Sequence, residues 1–265
     1  MILPFRCSTL VAAAPRLAGF GSMPAMTGPG ADQIRHLYSP DRRGERPASH
    51  LAGFKGIVQV DGYPGFERLG VGGSIQLAAC WAHARRRFYE VHQATGSPIA
   101  AEAIRRIAEL YAIETIIRGR TADKRLGLRR LQSSPLVNAM KTWLEAQLNQ
   151  IPPRSGLGEA IRYALTRWGT LCRFLDDGRV ELDNNTVERA VRPIALGRKN
   201  HLFAGSDGGA ARWAVIASLL TTAKLNDIDP YAYLKDVLER MSNGHPMNRL
   251  DDLLPWNWAR STATI

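Results

Sequence analysis

The chain contains one convincing β-type run, and a long stretch of helical periodicity follows it. Gly56-Ile57-Val58-Gln59-Val60 is short, apolar and β-branched, and it ends in Asp61-Gly62-Tyr63-Pro64-Gly65, a cluster of turn formers. Further on, Ile104, Ile107, Ala108, Leu110, Tyr111, Ile113 and Ile116 recur at the 3.6-residue period of a helix, and residues 126–131 and 137–148 continue the pattern. Few strands among many helices restrict the fold to a mixed α/β architecture with a large helical part.

The remaining segments fit that frame. Residues 74–77 read as a second strand or a helix start, and residues 78–93 as a helix carrying Arg85-Arg86-Arg87. Pro152-Pro153 breaks the chain, residues 158–175 are expected to form one amphipathic helix, and Asp176-Asp177-Gly178 a turn. Val180-Glu181-Leu182 reads as short and extended. Asp183-Asn184-Asn185 then supplies capping residues for a helix carrying Thr186-Val187-Glu188-Arg189-Ala190, which Pro193 should end or kink. Residues 210–224 read as a helix. Asp229-Pro230 places an N-cap before a proline at the first helical position, and that helix should run to about Met241 and stop at Ser242-Asn243-Gly244. No internal repeat is visible.

Charge narrows the partner. The chain carries 35 Lys+Arg against 24 Asp+Glu, a formal net charge of +11. Such a surplus suits a polyanion, with nucleic acid first. With 45% apolar and 22% charged residues the composition is that of an ordinary globular protein, and no apolar run reaches the ~20 residues of a membrane span. Cys7, Cys80 and Cys172 stand far apart without metal-ligand spacing, which argues against zinc or a disulfide framework and suits a reducing compartment. The first 31 residues lack Asp and Glu and include Arg6, Arg16 and an apolar patch at residues 10–14, a transit-like composition interrupted by Pro15. Residues 1–36 show no periodicity and are expected to be irregular or disordered.

Two carboxylates stand out by position. Asp61 follows a strand and precedes a flexible turn, where it can reach a ligand or simply form the turn. Glu188 lies in the first turn or two of a capped helix, where it can ligate or simply complement the helix dipole. Together they suggest phosphoryl transfer on DNA, which commonly uses two Mg²⁺ ions held by a few carboxylates, with water and phosphate oxygens filling the other positions.

Longer strings carry a family resemblance. Tyr38-Ser39-Pro40-Asp41-Arg42-Arg43-Gly44-Glu45, Gln59-Val60-Asp61-Gly62-Tyr63, Cys80-Trp81-Ala82-His83-Ala84-Arg85-Arg86, residues 181–190, Ala195-Leu196-Gly197-Arg198-Lys199-Asn200 and Phe203-Ala204-Gly205-Ser206-Asp207 resemble insertion-sequence 66 transposases of the DDE type. The tail, from Thr222 to Trp258, is similar to that family's C-terminal element, and the likeness covers about residues 37–258. It implies an α/β fold with a ribonuclease-H-like core, incomplete here because its first strands are missing. A helical insert would span about residues 95–176, the catalytic domain residues 37–210 and the C-terminal helical element residues 211–258. It implies Asp61 and Glu188 as catalytic, metal-holding carboxylates, second and third of a triad, with Mg²⁺ or Mn²⁺ as cofactor. Asn184 and Asn185 would flank the site. His83 and Arg86 would either touch DNA phosphate or stay structural, and Arg189, Arg198 and Lys199 are further candidates for DNA contact or support. The implied reaction is DNA cleavage and strand transfer in the bacterial cytoplasm, at the nucleoid. Implied partners are transposon ends, target DNA, and a second copy of the chain or an intact transposase.

The front of the chain departs from the family. Its first carboxylate sits in a string like Asp-Asp-Thr-Pro-Val, which does not occur here, and neither Asp32 nor Asp41 has that context. Back-translation of the residues from Met1 with permitted codons, read from the third base, yields Asp-Thr-Pro-Val. The same offset from Ala18 yields Arg-Leu-Trp-Val-Tyr-Ala-Arg. Residues 1–36 are therefore expected to be out-of-frame translation, and catalysis to be impaired by loss of the first Asp. The other reading is a non-catalytic DNA-binding or interfering transposase remnant.

Overall fold

The computed structural model describes residues 35–39, 45–61, 64–152, 154–197 and 206–262. Expectations for residues 1–34, including their irregularity, lie outside the described residues, as do Arg198 and Lys199. The chain forms two compact units, one of residues 56–185 and one of the residues before Gly56 and after Asn185.

The unit of residues 56–185 is built on two strands, β1 (Gly56–Val60) and β2 (Ile75–Ala79), paired in parallel from Gly56↔Ile75 to Val60↔Ala79. Parallel neighbours need a long crossover. Residues 61–74 supply it, with a 3₁₀ turn at Pro64–Gly70. Residues 78 and 79 belong to β2 rather than to the expected helix, so α2 starts only at Trp81 and runs to Thr95. Gly96, at φ 65°, closes α2 by donating its N–H to the His92 carbonyl. A left-handed position of this kind suits glycine, which has no Cβ to clash. Ser97 then caps α3 (Pro98–Ile117) by accepting the Ala100 N–H at 3.2 Å.

Next come α4 (Ala122–Leu128), a π-helical turn at Arg129–Ser133, α5 (Ser134–Leu148), and α6 (Gly156–Thr166), which Ser155 caps through the Gly158 N–H. The single helix expected over residues 158–175 is instead three pieces: α6, α7 (Trp168–Leu171) and a 3₁₀ turn at Cys172–Leu175. Arg167, at φ −104° and ψ 12°, is the break. Breaking there lets both Trp168 and Phe174 enter the core, which one straight helix would not do.

The core gathers Trp81, Phe88, Ile107, Met140, Leu144 and Ile161 from the helices around the sheet. Trp81 is 0% exposed, meets Trp168 edge to face at 5.7 Å, and donates its indole N–H to the Leu171 carbonyl at 2.9 Å. Each such large side chain contributes about 1.5–3 kcal/mol on burial. Residues 180–182, expected to be short and extended, belong to no regular helix or strand. They still adjoin the sheet, since Leu182 accepts the Trp81 N–H at 3.1 Å and Glu181 accepts the Gln59 amide at 2.8 Å.

The other unit contains α1 (Glu45–His50), α8 (Asn185–Gly197, from Thr186 on), α9 (Asp207–Leu225), α10 (Pro230–Ser242), a 3₁₀ segment at Met247–Leu253, and α11 (Pro255–Thr262). Asp229 caps α10 by accepting the Ala232 N–H at 2.7 Å, and Gly244, at φ 84°, lies just past its end. Helix α8 does not stop at Pro193 but continues to Gly197. Proline takes one hydrogen bond from a helix and crowds the carbonyl four residues back, a cost that α8 carries without ending there. Tyr233, Val237, Ile228, Ala223 and Leu253 form a small core, in which the Tyr233 hydroxyl donates to the Leu253 carbonyl and its ring meets Trp258 edge to face. His36 is 2% exposed, and its backbone N–H donates to Ser218 Oγ at 2.8 Å.

The α/β expectation is met in coarse form by a mostly helical chain with a small parallel sheet. The ribonuclease-H-like core is a finer expectation that two strands do not establish. Among the described residues no helix is long and apolar enough to cross a membrane.

Candidate functional site

Asp61 is exposed at the carboxyl end of β1, one step beyond the last paired residue, Val60. The next register position on β2 is Cys80, which leads directly into α2. The carboxyl ends of parallel strands are where open α/β sheets present ligand groups, because the chain turns there and leaves side chains uncovered.

The segment before α8 reaches the same end of the sheet. Asp183 accepts the Asn185 backbone N–H at 3.0 Å and the Asn185 amide at 2.6 Å, which satisfies an N–H that the start of a helix leaves orphaned. Tyr111, from α3, donates its hydroxyl to Asp183; burial, and after it the Asp183 charge, push the phenol pKa well above its ordinary value. The Cys80 thiol is pushed up to about 11, first by burial, while the backbone N–H groups of Asn184, His83 and Ala82 pull the other way. Asn184 is 6% exposed, and its Oδ1 meets no hydrogen-bond donor among the described residues.

The sequence-derived candidates divide between the two units. Asp61, His83, Arg86, Asn184 and Asn185 belong to the unit of residues 56–185, while Glu188 and Arg189 belong to the other. Glu188 and Arg189 are exposed, with Glu188 in the first turn of α8. Asp61 and Glu188 are thus not brought together within either unit. His83 is half-buried on α2. Arg86 is exposed and pairs loosely with Glu90 at 3.7 Å. Within the unit of residues 56–185 the oxygen donors near the carboxyl end of β1 are the carboxylates of Asp61 and Asp183 and the amide oxygen of Asn184, a chemistry that suits a hard divalent cation. No group of three or more His, Cys, Asp or Glu residues poised for a metal occurs among the described residues.

Sequence reading missed the role of Tyr111, which its helical spacing marked only as core. It also missed the ion pair and the hydrogen bonds that hold the approach to Asp183. Arg125 clasps Glu181 through two hydrogen bonds of 2.7 and 2.8 Å. Arg129 bonds the carbonyls of Phe174 and Val180. Neither partner lies within one helical turn of its arginine, so no local spacing could have signalled them.

Comparison with known proteins agrees with the strings that end and follow β1. The family described as "Transposase IS66 family" matches residues 24–212, and "IS66 C-terminal element" matches residues 218–256. The first match reaches back into the segment expected to diverge. Three proteins of Sinorhizobium fredii (strain NBRC 101917 / NGR234) are similar. Protein y4hP is 47% identical over 241 residues, covering 85% of this chain and 44% of the relative. Protein y4qI is 44% identical over 232 residues, covering 85% and 43%. Protein y4jD is 44% identical over 238 residues, covering 87% and 47%. The chain thus spans less than half the length of the curated relatives it matches. No solved structure matches it.

Proposed function

The chain belongs to the transposase IS66 family, and on that premise we propose that it acts in DNA cleavage and strand transfer with a divalent metal, Mg²⁺ or Mn²⁺. The observation that carries this reading is the family match over residues 24–212, which contains both strand-end Asp61 and Glu188. In this reading the core is ribonuclease-H-like, interrupted by a helical insert at about residues 95–176, with catalytic residues over 37–210 and a C-terminal helical element over 211–258.

Asp61 and Glu188 would hold the metal. When bound, the metal supplies charge that stabilises the attacking and leaving oxygens of the displacement. Asp61 offers an exposed carboxylate at a strand end, and Glu188 one at the start of a helix. Asn185 stays in place through Asp183. Arg189, Arg198 and Lys199 would pair with DNA phosphates, as would His83 and Arg86.

By themselves these 265 residues supply two of the three carboxylates the family resemblance implies. Metal affinity depends on ligand number and geometry, so this chain alone is expected to be a weak catalyst. The basic surplus favours a second reading, a DNA-binding chain that interferes with an intact transposase.

The test is a Mg²⁺-dependent strand-transfer assay of the chain beside Asp61→Ala and Glu188→Gln, with Mn²⁺ binding measured on the same proteins. The proposal expects weak transfer and Mn²⁺ binding, both abolished in each variant, with DNA binding nearly unchanged. Transfer equal to that of an intact relative would overturn the impairment, and variants that keep both activities would overturn the assignment of Asp61 and Glu188.

A further inference from the structure

Several arginines of the helical insert are neutralised at close range. Arg105 is held by Glu102 and Glu109 at 2.6–2.8 Å, and Arg106 by Glu102 at 2.8 Å. Arg125 and Arg129 are held by Glu181 and Glu114. Two arginines are arranged differently. The guanidinium carbons of Arg87, from α2, and Arg167, at the end of α6, lie 4.0 and 4.4 Å from the centroid of the same ring, Tyr163. No carboxylate pairs with Arg87 among the described residues. Arg167 meets only Glu67, at 3.4 Å, and that side chain is 68% exposed.

A cation against an aromatic face gains about 0.5–1 kcal/mol at an exposed site, which by itself would account for one arginine packing α2 against α6. A second guanidinium on the same ring adds like-charge repulsion that a neutral phenol cannot cancel. An anion beside the pair would cancel it. The planar fork of arginine suits phosphate oxygens in particular, and the ring removes much of the freedom that binding would otherwise cost. Arg87 is exposed, and on the same helix Arg85 and Arg86 are exposed beside it.

We propose that Arg87 and Arg167, fixed on Tyr163, grip the phosphate backbone of DNA and make the α2–α6 face a DNA-contacting surface. This rests on the reading of the chain as a transposase that acts on DNA. It adds an anchor point independent of sequence readout.

The test is fluorescence anisotropy of a labelled DNA duplex with the full chain across a NaCl series, comparing Arg87→Gln, Arg167→Gln, the double variant and Arg105→Gln. Removing one arginine–phosphate pairing should make the slope of log K against log salt shallower by about 0.9, and removing both by about 1.8. Arg105→Gln removes the same charge from a neutralised site and should leave the slope unchanged. If the double variant fails to fold, by circular dichroism, the single variants decide. An unchanged slope in the Arg87 and Arg167 variants, or an equal change in Arg105→Gln, overturns the proposal and leaves the transposase reading standing. A wild-type chain that binds no DNA overturns both.

Discussion

The Arg129 guanidinium is fully buried and donates from two of its nitrogens to the two oxygens of Glu114, both at 2.7 Å. Its third nitrogen donates to the carbonyls of Val180 at 2.8 Å and Phe174 at 3.1 Å. One side chain thus ties α3 and the π-helical turn to the segment that leads into Asp183. A buried ion is tolerated only where every donor is met, and here the ring of acceptors meets them.

Arg129→Met should therefore destabilise the chain by about 3 kcal/mol, the lower end for a broken buried pair, because it leaves the buried Glu114 with Arg125, at 3.6 Å, as its remaining charged partner among the described residues. The double variant Arg129→Met/Glu114→Met should recover most of that loss. Urea denaturation of the two variants checks it, and a double variant no more stable than the single one would show that the pair matters through something other than charge.

Gly178 has no room for a side chain. A Cβ there would stand 2.7 Å from the Ala122 carbonyl carbon and closer still to its oxygen, which belongs to backbone and cannot rotate away. Gly178→Ala should cost at least about 1–3 kcal/mol, the range of overpacked sites. Gly169→Ala, where a Cβ meets nothing within 4 Å, is the matched control. Equal melting temperatures for the two variants would refute this account.

Burial holds the His36 pKa below its ordinary value of about 6.5. His50 is lowered in the same direction by burial and then by Arg46 and Arg35. The unfolded chain therefore takes up protons first as pH falls. The stability these histidines give is complete above about pH 6.5 and is lost as pH drops toward their lower folded values. The urea midpoint should fall between pH 7.5 and 5.5, and His36→Gln should flatten that dependence.

Thiol chemistry gives a fourth expectation. Burial raises Cys80 and Cys172 to about 11 each, so neither carries appreciable thiolate at neutral pH. Iodoacetamide at pH 7.5 should label both slowly in the native chain and quickly in urea, as followed by peptide mass spectrometry. Rapid native labelling of Cys80 would mean that the start of α2 opens easily.

Sequence alone determined the features set by neighbouring residues. The strand Gly56–Val60 with Asp61 beyond its end was legible because alternation and turn chemistry are local. So was the start of α10, where Asp229 and Pro230 act on the turn they adjoin. The strings around Asp61 and Glu188 were legible as a family pattern. Tertiary structure decided the rest: Arg129 and Glu114, fifteen positions apart, read as ordinary surface charges until the fold supplied carbonyls from residues 174–180. It ended α6 at Arg167, turning two aromatic side chains inward and bringing a second cation to Tyr163. Caps and periodicity act within a turn or two of the chain, whereas burying a charge or breaking a helix depends on partners that only folding brings near.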